Sequence, residues 1–356
     1  MKMTTATLAH EAAGGATRAA LPARVRRLGP AARIGLAACV ALLAVLATLP
    51  AWGGSAWKHD IVQLACYLVF ASMWNLLAGY GGMVSIGQQA YFGLGGYAML
   101  VLANDAGVNP FLAVPLGAGV AALLAWPLSR IAFRLSGGYF AIGTWVLSEV
   151  VRLSVSNVAA VGGGSGTSLT ALRGIERATR ENLTYWLALA CAAATVGGLY
   201  LFLRSQRGLA LQAIRDNPVA AESQGIAVGR MKLAVYLVAS LGAGLAGALY
   251  FLANLRISPD AAFSVNWSAF AIFMVMIGGL GRIEGPVVGA LVFFALDKLF
   301  SDQGSLYLLG LGLLAVVSTI ALREGLWGLA ERRLGWSLFP TRRTLIIEGR
   351  VPGDTA

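Results

Sequence analysis

Four polar side chains interrupt an apolar, glycine-rich stretch of the sequence. Asn75, Ser85, Gln88 and Gln89 carry amide and hydroxyl groups, which can hydrogen-bond a small polar molecule. Two interpretations of this spacing remain open. One is a broken helix that lines a substrate path, because non-helical backbone inside a membrane must be covered by protein or by a water-filled cavity. The other is close packing of helices through small residues, with a polar turn at the membrane interface.

The sequence offers no catalytic residues and no metal site. Cys39, Cys66 and Cys191 all lie in apolar runs without CxxC or Cys/His spacing, and His10 and His59 are the only histidines. A metal site or a disulfide framework is therefore not expected. The phosphate-binding pattern GxxxxGK[ST] is also missing, so we do not expect the chain to hydrolyse ATP alone or to bind a cofactor.

Glycines next to the polar groups predict where the helix is broken. Gly79, Gly81 and Gly82 begin a run of glycines, and each glycine costs nearly ~1 kcal/mol of helix stability relative to alanine. An uninterrupted helix across this run is therefore disfavoured.

A second glycine cluster lies further along the chain. Its members are Gly278, Gly279, Gly281 and Gly285. Pro286 can begin a helix, since its missing N–H is not needed in the first turn, and the Gly–Pro break favours a short turn between two helices. The alternative is one continuous helix that packs through a face of small residues.

The whole chain is too apolar for a water-soluble protein of 356 residues. Hydrophobic residues make up 58% and charged residues 12%, whereas a soluble domain carries about a quarter charged residues. The sequence predicts an all-α fold, a polytopic helical integral membrane protein with about 8–10 transmembrane helices, some of them broken or re-entrant. The formal charge of +11 does not indicate nucleic-acid binding, because Lys and Arg cluster in the tails and short loops.

Ten apolar runs approach the roughly 20 residues that a helix needs to cross a membrane. They lie near 33–52, 61–79, 87–104, 111–133, 138–155, 184–203, 233–255, 268–281, 285–300 and 305–322. The positive-inside bias predicts cytoplasmic termini, a cytoplasmic segment 204–232 and a periplasmic loop 156–183. Three regions follow: a disordered basic tail at 1–32, a transmembrane domain at 33–322 and a cytoplasmic C-terminal tail at 323–356.

Few charges lie inside the apolar runs. Glu149 and Arg152 stand near the outer end of one run, and Asp297 and Lys298 near the end of another. We expect each pair to anchor its helix at the membrane interface and to neutralise itself locally, rather than to relay protons.

A polar island, residues 204–232, separates two long apolar runs. Asn217 and Pro218 predict an N-cap and first helical position, and Gly225 predicts a left-handed helix end. Upstream, residues 207–215 predict another short helix. The island is therefore expected to be a compact protrusion formed by two short helices.

The island also carries groups that could contact another protein. Ala220, Ala221 and Ile226 could fill a groove on a partner, and Glu222 and the arginines would rim that contact. A basic loop that only fixes the topology is the alternative.

Four motifs in a fixed order resemble a known family. They are NLLAGYGGMVSIGQQAYFGLGGY at 75–97, GGYFAIGTWVLSEVVR at 137–152, RGLALQAIRDNPVAAESQGIAVGRMKLAVYLVASLGAGLAGALY at 207–250 and GGLGRIEGPVVGA at 278–290. With these motifs the chain resembles the permeases of branched-chain amino-acid ABC importers, in particular the LivM-type membrane subunit. The resemblance covers roughly residues 60–330. Arg282 and Glu284 depart from it, because small or apolar residues are commoner there.

The resemblance implies a set of partners. They are a second homologous permease that completes a heterodimer, two cytoplasmic ATPases that bind and hydrolyse the ATP, and a periplasmic binding protein that delivers a small amino acid. It implies import across the bacterial inner membrane, without a nucleic-acid partner. The island would couple the permease to the ATPases through Ala221, Glu222 and Gly225, with Arg215 and Asn217 beside them.

Other functions remain open at this point. The same permease fold could import urea or a short amide. An ion-coupled secondary transporter would need buried, unpaired carboxylates or histidines in mid-span, whereas the acids of this chain stand near span ends. A membrane scaffold without transport activity would leave the island without a coupling role.

Overall fold

The computed structural model of the chain describes residues 23–26, 30–300, 304–322, 324–334, 339 and 344–347. The helices are α1 (Pro30–Trp52), α2 (Ser55–Asn75), α3 (Gln89–Asn104), α4 (Pro110–Ala132), α5 (Gly137–Ser156), α6 (Arg177–Arg204), α7 (Gln206–Asp216), α8 (Pro218–Ser223), α9 (Val228–Asn254), α10 (Pro259–Ala262), α11 (Val265–Gly278), α12 (Glu284–Phe300), α13 (Ser305–Ala321) and α14 (Gly325–Leu334). The strands are β1 (Ala23–Arg26), β2 (Thr167–Ser168), β3 (Arg256–Ile257) and β4 (Thr344–Ile347).

A helix forms at each predicted apolar run, which confirms the helical, multi-pass membrane class. Six helical segments are long and apolar enough to cross a membrane, namely Ser55–Tyr80, Pro110–Ala132, Arg177–Arg204, Val228–Asn254, Pro259–Gly278 and Leu306–Arg333. A seventh candidate combines α5 with the turns after it, bent by 87°. Four of the ten predicted runs are missing from these six. Helices α3 and α12 have 16 and 17 residues, the apolar part of α1 extends only over Ala37–Trp52, and α5 qualifies only together with the bent turns after it.

The centre of the bundle is formed by α2 and α9. Within their most apolar windows, 78% and 72% of the residues are buried, against 28% for α6. Small residues let the neighbouring helices approach α9 closely. Gly95 of α3 lies so near Gly244 of α9 that a methyl group on Gly95 would overlap the backbone of Gly244. A core of this kind holds membrane helices by van der Waals packing, since lipid supplies no hydrophobic force between them.

The helices place two groups of loops at opposite ends of the bundle. One end, here the basic end, carries the island helices α7 and α8 together with α14. The other, here the loop end, carries residues 157–176, where β2 and β3 pair antiparallel. Asn104 fastens this loop, because its Oδ1 accepts hydrogen bonds from the backbone N–H groups of Thr170 and Ala171 at 2.9 and 3.1 Å.

One of the two charged pairs behaves as the sequence predicts and the other does not. Arg152 donates to Glu149 at 2.5 Å and also to Asp260 at 2.7 Å. Lys298, however, pairs with Asp60 of α2 at 2.5 Å instead of with its neighbour Asp297. The reason is tertiary packing, since α2 places the carboxylate of Asp60 within reach of the Lys298 ammonium.

Both tails contain regular structure. The prediction of disorder across residues 1–32 is wrong for β1, which pairs antiparallel with β4, and for residues 30–32, which begin α1. The partner strand β4, TLII, lies near the other end of the sequence. A pattern within residues 1–32 therefore could not predict that β1 pairs with it. Residues 1–22 lie outside the described part of the chain.

Candidate functional site

Helix α2 ends in an irregular segment at the basic end. It continues as a single π-helical turn, Leu76–Tyr80, after which the chain does not return to a helix until Gln89. Single π-turns inside α-helices are found frequently at functional sites. Gly82 has φ +68°, a left-handed conformation that favours glycine. The glycines Gly79, Gly81 and Gly82 therefore lie at a real interruption of the helix.

Most of the non-helical segment 81–88 is buried in the protein, with only Gly82 and Val84 exposed, and its backbone finds hydrogen-bond partners there. The indole N–H of Trp74 donates to the carbonyl of Ser85 at 2.8 Å. The N–H of Ile86 donates to Thr144 Oγ1 at 3.2 Å, and the N–H of Gly87 donates to the hydroxyl of Ser85 at 3.2 Å. Irregular backbone at membrane depth needs such cover. Ser85, buried completely, thus stabilises the segment by capping its backbone.

Asn75 joins this segment to the second glycine cluster. Its Oδ1 accepts a hydrogen bond from the N–H of Gly281 at 2.9 Å, and its Nδ2 donates to the carbonyl of Arg282 at 2.8 Å. A methyl group on Gly79 would overlap Asn75 Oδ1 and lie 2.7 Å from the nitrogen of Gly281. Gly79 therefore has to be glycine for the two segments to meet.

The second glycine cluster forms a turn between two helices, as the Gly–Pro break predicts. Helix α11 ends at Gly278 and α12 begins at Glu284, and the turn between them contains Gly279 at φ +134° and Gly281 at φ +73°. The two helices pack closely at the turn, because a methyl on Gly285 would overlap the carbonyl of Gly279. The charged Arg282 of this turn is not exposed freely, since it reaches α14.

Arg282 fastens the C-terminal helix to the turn. Its Nη1 donates to the carbonyl of Glu324 at 2.9 Å, and its Nε donates to Glu331 Oε2 at 2.9 Å. Arg332 pairs with the carboxylate of Glu324 as well. The segment predicted as a C-terminal tail thus begins with a docked helix rather than with unstructured chain.

Gln88 and Gln89 are both buried, but only one of them has partners. Gln89 Nε2 donates to Ser148 Oγ of α5 at 2.8 Å, and its Oε1 accepts a hydrogen bond from the hydroxyl of Ser268 of α11. Gln88 is 1% exposed, and neither its Nε2 nor its Oε1 has a hydrogen-bond partner among the described residues. A buried, unpaired amide costs about 1–3 kcal/mol, so Gln88 is the polar group here that is most in need of a ligand.

The island folds as two short capped helices. Ser205 caps α7 by accepting a hydrogen bond from the N–H of Gly208, and Asn217 caps α8 by accepting one from the N–H of Ala220 at 3.0 Å. Pro218 occupies the first turn of α8, and Gly225 follows the helix at φ +83°. The predicted N-cap at Asn217 and the left-handed helix end at Gly225 are therefore confirmed, with the helix boundaries shifted by one residue, whereas the Ser205 cap was not predicted.

The island rests on the bundle with one buried face. Leu211 and Ile214 are 0% and 1% exposed, and α7 packs against α6, α9 and the π-turn. Ala221 is 2% exposed, so the prediction that it could fill a groove on another protein is wrong. Side chains of a helix point in different directions around its axis. In α8 Ala221 faces the bundle, whereas Val219, Ala220 and Glu222 are exposed.

Arg215 connects the island to the broken helix. Its Nη1 donates to the carbonyl of Gly79 at 2.9 Å, and its Nη2 lies 2.9 Å from Asp216 Oδ1. The aliphatic part of its side chain lies against Gly82. Through Gly79 and Asn75 the island, the broken helix and the turn at 279–283 form one hydrogen-bonded assembly at the basic end.

Two members of this polar interior escape prediction from sequence. Ser148 and Ser268 are isolated serines in apolar helices, 2% and 0% exposed, and nothing local shows that both contact Gln89. Tyr91 and Tyr236 likewise place their hydroxyl groups 2.7 Å apart in the core. A single polar residue in an apolar run is the only signal, and it does not identify the partner.

A cleft of about 680 Å³ opens at the loop end between α2 and α6, with Lys298 of α12 at its edge. Charged groups of both signs line it, namely Lys58, Asp60, Arg177, Arg180, Glu181 and Lys298. Several of them are already paired, since Lys58 donates to Asn182 at 2.7 Å and Arg177 to Glu181 at 2.7 Å. The cleft is therefore a polar surface of mixed charge, on which four cationic side chains stand against two carboxylates.

Comparison with known proteins identifies the family of the chain. A sequence model described as "Branched-chain amino acid transport system / permease component" matches residues 60–321. The chain is 27% identical over 322 residues to the high-affinity branched-chain amino acid transport system permease protein LivM of Salmonella typhimurium, covering 82% of this chain and 76% of that protein.

More distant relatives match shorter stretches. The probable branched-chain amino acid transport permease protein LivM of Methanocaldococcus jannaschii is 26% identical over 233 residues, which cover 60% of this chain and 66% of that protein. The fructose import permease protein FruG of Bifidobacterium longum is 36% identical over 112 residues, 30% of this chain and 32% of that protein. No solved structure matches. Because the family model covers residues 60–321 and these residues form the helical bundle, the chain belongs to the branched-chain amino acid transport system permease family.

Proposed function

We propose that the chain is the membrane-spanning permease subunit of an ATP-driven importer for branched-chain or closely related amino acids. The names of the relatives that match most of the chain support this substrate class. A second, homologous permease would complete the pathway as a heterodimer, two cytoplasmic ATPases would bind and hydrolyse ATP, and a periplasmic binding protein would deliver the amino acid.

The distribution of charge supports an orientation with the basic end in the cytoplasm. Basic residues concentrate at that end, among them Arg130, Arg134, Arg204, Arg207, Arg215, Arg230, Lys232, Arg282, Arg332 and Arg333. Cytoplasmic loops of inner-membrane proteins carry such an excess. At the loop end the cations are partly neutralised, as in the pairs of Arg177 with Glu181 and Lys298 with Asp60. The loop end would then face the periplasm and the binding protein.

The observation that carries the proposal is the hydrogen bond between Arg215 and Gly79. It makes the island more than a loop on the surface, because a displacement of α7 pulls on the carbonyl of a broken helix inside the bundle. Val219, Ala220 and Glu222 form the exposed face of α8 on which an ATPase would push. Asn75 would pass the displacement to the turn at 279–283. Nucleotide binding would in this way favour one of two states of the bundle.

The interior suits a small zwitterion that is passed on rather than held tightly. The mixed-charge cleft at the loop end offers carboxylates and cations to the ammonium and carboxylate of an amino acid. Further inside, the unpaired amide of Gln88 offers an NH2 group as donor and a carbonyl oxygen as acceptor. Asn75, Ser85 and Gln89 are engaged with their own chain, so they would line the path only after a rearrangement. Gln88 remains the best candidate of the four.

The coupling role can be tested by reconstitution in proteoliposomes. The chain is assembled with a second permease, the ATPases and the binding protein, and ATP-dependent uptake of radiolabelled leucine is measured. Glu222→Arg reverses an exposed charge on α8, and we expect it to abolish uptake and weaken co-purification of the ATPases. Glu176→Arg is the matched control, since this exposed carboxylate lies at the loop end and ATPase co-purification should not change. Unchanged uptake and co-purification with Glu222→Arg would show that α8 has no coupling role.

The substrate class is tested separately with the unmodified assembly. Uptake of leucine, isoleucine and valine is compared with uptake of urea, acetamide, xylose and fructose at equal concentrations. We expect the branched-chain amino acids to be taken up and the amides and sugars to be excluded. Uptake that needs an ion gradient and no ATP would instead indicate a secondary transporter.

A further inference from the structure

A second large cavity lies on the side of the bundle, outside the assembly described above. It is a groove of about 660 Å³ between α6 and α9, with the buried side of α2 as its floor. Met73, Cys191, Gly198, Val235 and Leu241 line it. Among the described residues in its wall Arg207 is the only charged one. The groove is thus apolar along its length and cationic at one end.

Small residues on α6 create the groove. Cys191, Ala194 and Gly198 lie on one face of the helix, three and four residues apart. A methyl group placed on Gly198 would meet no atom within 4 Å, so the space beside it is open. Helix α6 is fastened to α2 at the loop end, where Ser55 donates to Glu181 at 2.6 Å, and no such bond closes the groove in the described residues near the basic end.

The groove has the depth of one leaflet of a bilayer. It extends along α6 from Ala190 to the basic end, where Arg207 lies in the first turn of α7. At 1.5 Å per residue the stretch from Ala190 to Arg204 is about 20 Å long. Half of a hydrocarbon core is roughly 15 Å thick. The apolar part therefore covers one leaflet, and Arg207 stands at the level of the headgroups.

The chemistry of the groove excludes the other small occupants. An amino acid would leave its ammonium and carboxylate groups without partners along an apolar wall, at a large cost in free energy. Water needs two to four polar partners at each site, which this wall does not provide. An acyl chain needs no polar partners and therefore suits the apolar wall. Arg207 makes no ion pair among the described residues, so its guanidinium is available to an anionic headgroup.

We propose that the groove binds one anionic phospholipid from the leaflet at the basic end, with an acyl chain between α6 and α9 and the phosphate on Arg207. Val238 and Leu241 on the rim are 48% and 43% exposed and would contact the rest of the chain. Arg204 and Arg230 stand at the ends of the same two helices, and basic pockets between membrane helices are known to select anionic headgroups. This lipid site is independent of the transported substrate.

The test uses the full-length chain, purified in mild detergent and titrated with phosphatidylglycerol or phosphatidylcholine while native mass spectrometry counts the bound lipids. We expect one phosphatidylglycerol per chain with a clear preference over phosphatidylcholine. Arg207→Gln should weaken phosphatidylglycerol binding about fivefold and remove the preference, since one arginine near a membrane surface contributes on that scale. Gly198→Leu should fill the groove and reduce the binding of both lipids. Arg130→Gln, on α4 and stacked over Trp126, should leave both affinities unchanged.

A second measurement needs no substitution, which guards against variants that fail to fold. Cys191 lies in the groove and is partly exposed, so phosphatidylglycerol should slow its alkylation by a small maleimide, followed by peptide mapping. Leucine should not slow it. Equal alkylation rates with and without phosphatidylglycerol would overturn the proposal. So would protection of Cys191 only by a second permease subunit, or unchanged lipid binding in both groove variants.

Discussion

Nη1 of Arg215 donates a hydrogen bond of 2.9 Å to the carbonyl oxygen of Gly79, across 136 residues of sequence. The acceptor belongs to the π-turn in which α2 is interrupted, and such a turn has carbonyl groups that the regular helix ladder does not satisfy. The bond therefore connects the interruption of α2 with the surface helix α7. Several measurable consequences arise from this geometry.

Replacing Arg215 should separate partner binding from transport. Arg215→Gln removes the charge and the bond to Gly79 but leaves the exposed face of α8 intact. We expect co-purification of the ATPases to remain normal while ATP-dependent uptake falls by about fivefold or more, the usual range of coupling between sites. Arg173→Gln is the control, because Arg173 is an exposed arginine at the loop end, away from the island. A parallel loss of ATPase binding and uptake would contradict a transmitting role.

Truncating Asn75 should destabilise the bundle. Asn75→Ala leaves the N–H of Gly281 and the carbonyl of Arg282 without their partners. We expect the free energy of unfolding in detergent to fall by about 2–4 kcal/mol, since each unsatisfied buried group costs about 1–3 kcal/mol. Asn157→Ala removes an exposed bond within one helix and should change stability by about 0.5 kcal/mol or less. Equal effects of both substitutions would show that the contact between the two segments is weak.

Gly79→Ala should act on the same contact by a different route. The added methyl group would overlap Asn75 Oδ1 and crowd the nitrogen of Gly281, so it should displace the bond that Asn75→Ala deletes. The two substitutions are therefore expected to be non-additive, with the double variant little worse than the worse single variant. A double-mutant cycle on the unfolding free energy measures this coupling, and full additivity would refute it.

Gln88 and Gln89 should respond in opposite ways to the same substitution. Gln88→Leu removes an amide without partners, so stability should stay equal or rise, whereas uptake should fall if this amide contacts the substrate. Gln89→Leu breaks the bonds to Ser148 and Ser268 and should lower the free energy of unfolding by roughly 1–3 kcal/mol. Thermal unfolding and uptake are measured for both variants. Normal uptake with Gln88→Leu would remove Gln88 from the substrate path.

Local signals in the sequence predict local structure well in this chain. Asn217 and Pro218 act within one helical turn, and Gly225 needs only its own left-handed φ, so the island could be predicted without knowledge of its surroundings. The turn at Gly279 and Gly281 could be predicted for the same reason, because it depends on the conformations of its own glycines. Apolar runs likewise predict helices, because helix formation in lipid satisfies the backbone within one segment.

Contacts between distant segments could not be predicted in this way. Nothing around Asn75 shows that its amide binds backbone more than two hundred residues away. Likewise, alternating burial in α8 depends on which face meets the bundle, so Ala221 was wrongly expected to be exposed. Lys298 follows Asp297 in the sequence, but it forms its ion pair with Asp60 of α2. Helix packing decides each of these cases, and it depends on the whole fold.

The pairing of β1 with β4 has a topological consequence. Two strands that are hydrogen-bonded to each other cannot stand on opposite sides of a hydrocarbon layer, so Ala23–Arg26 and Thr344–Ile347 lie on the same side of it. A chain whose two ends share a compartment traverses the bilayer an even number of times. An odd number of spans, such as seven, is therefore inconsistent with this pairing. If one further helix crosses the membrane in addition to the six candidates, a second one has to cross as well.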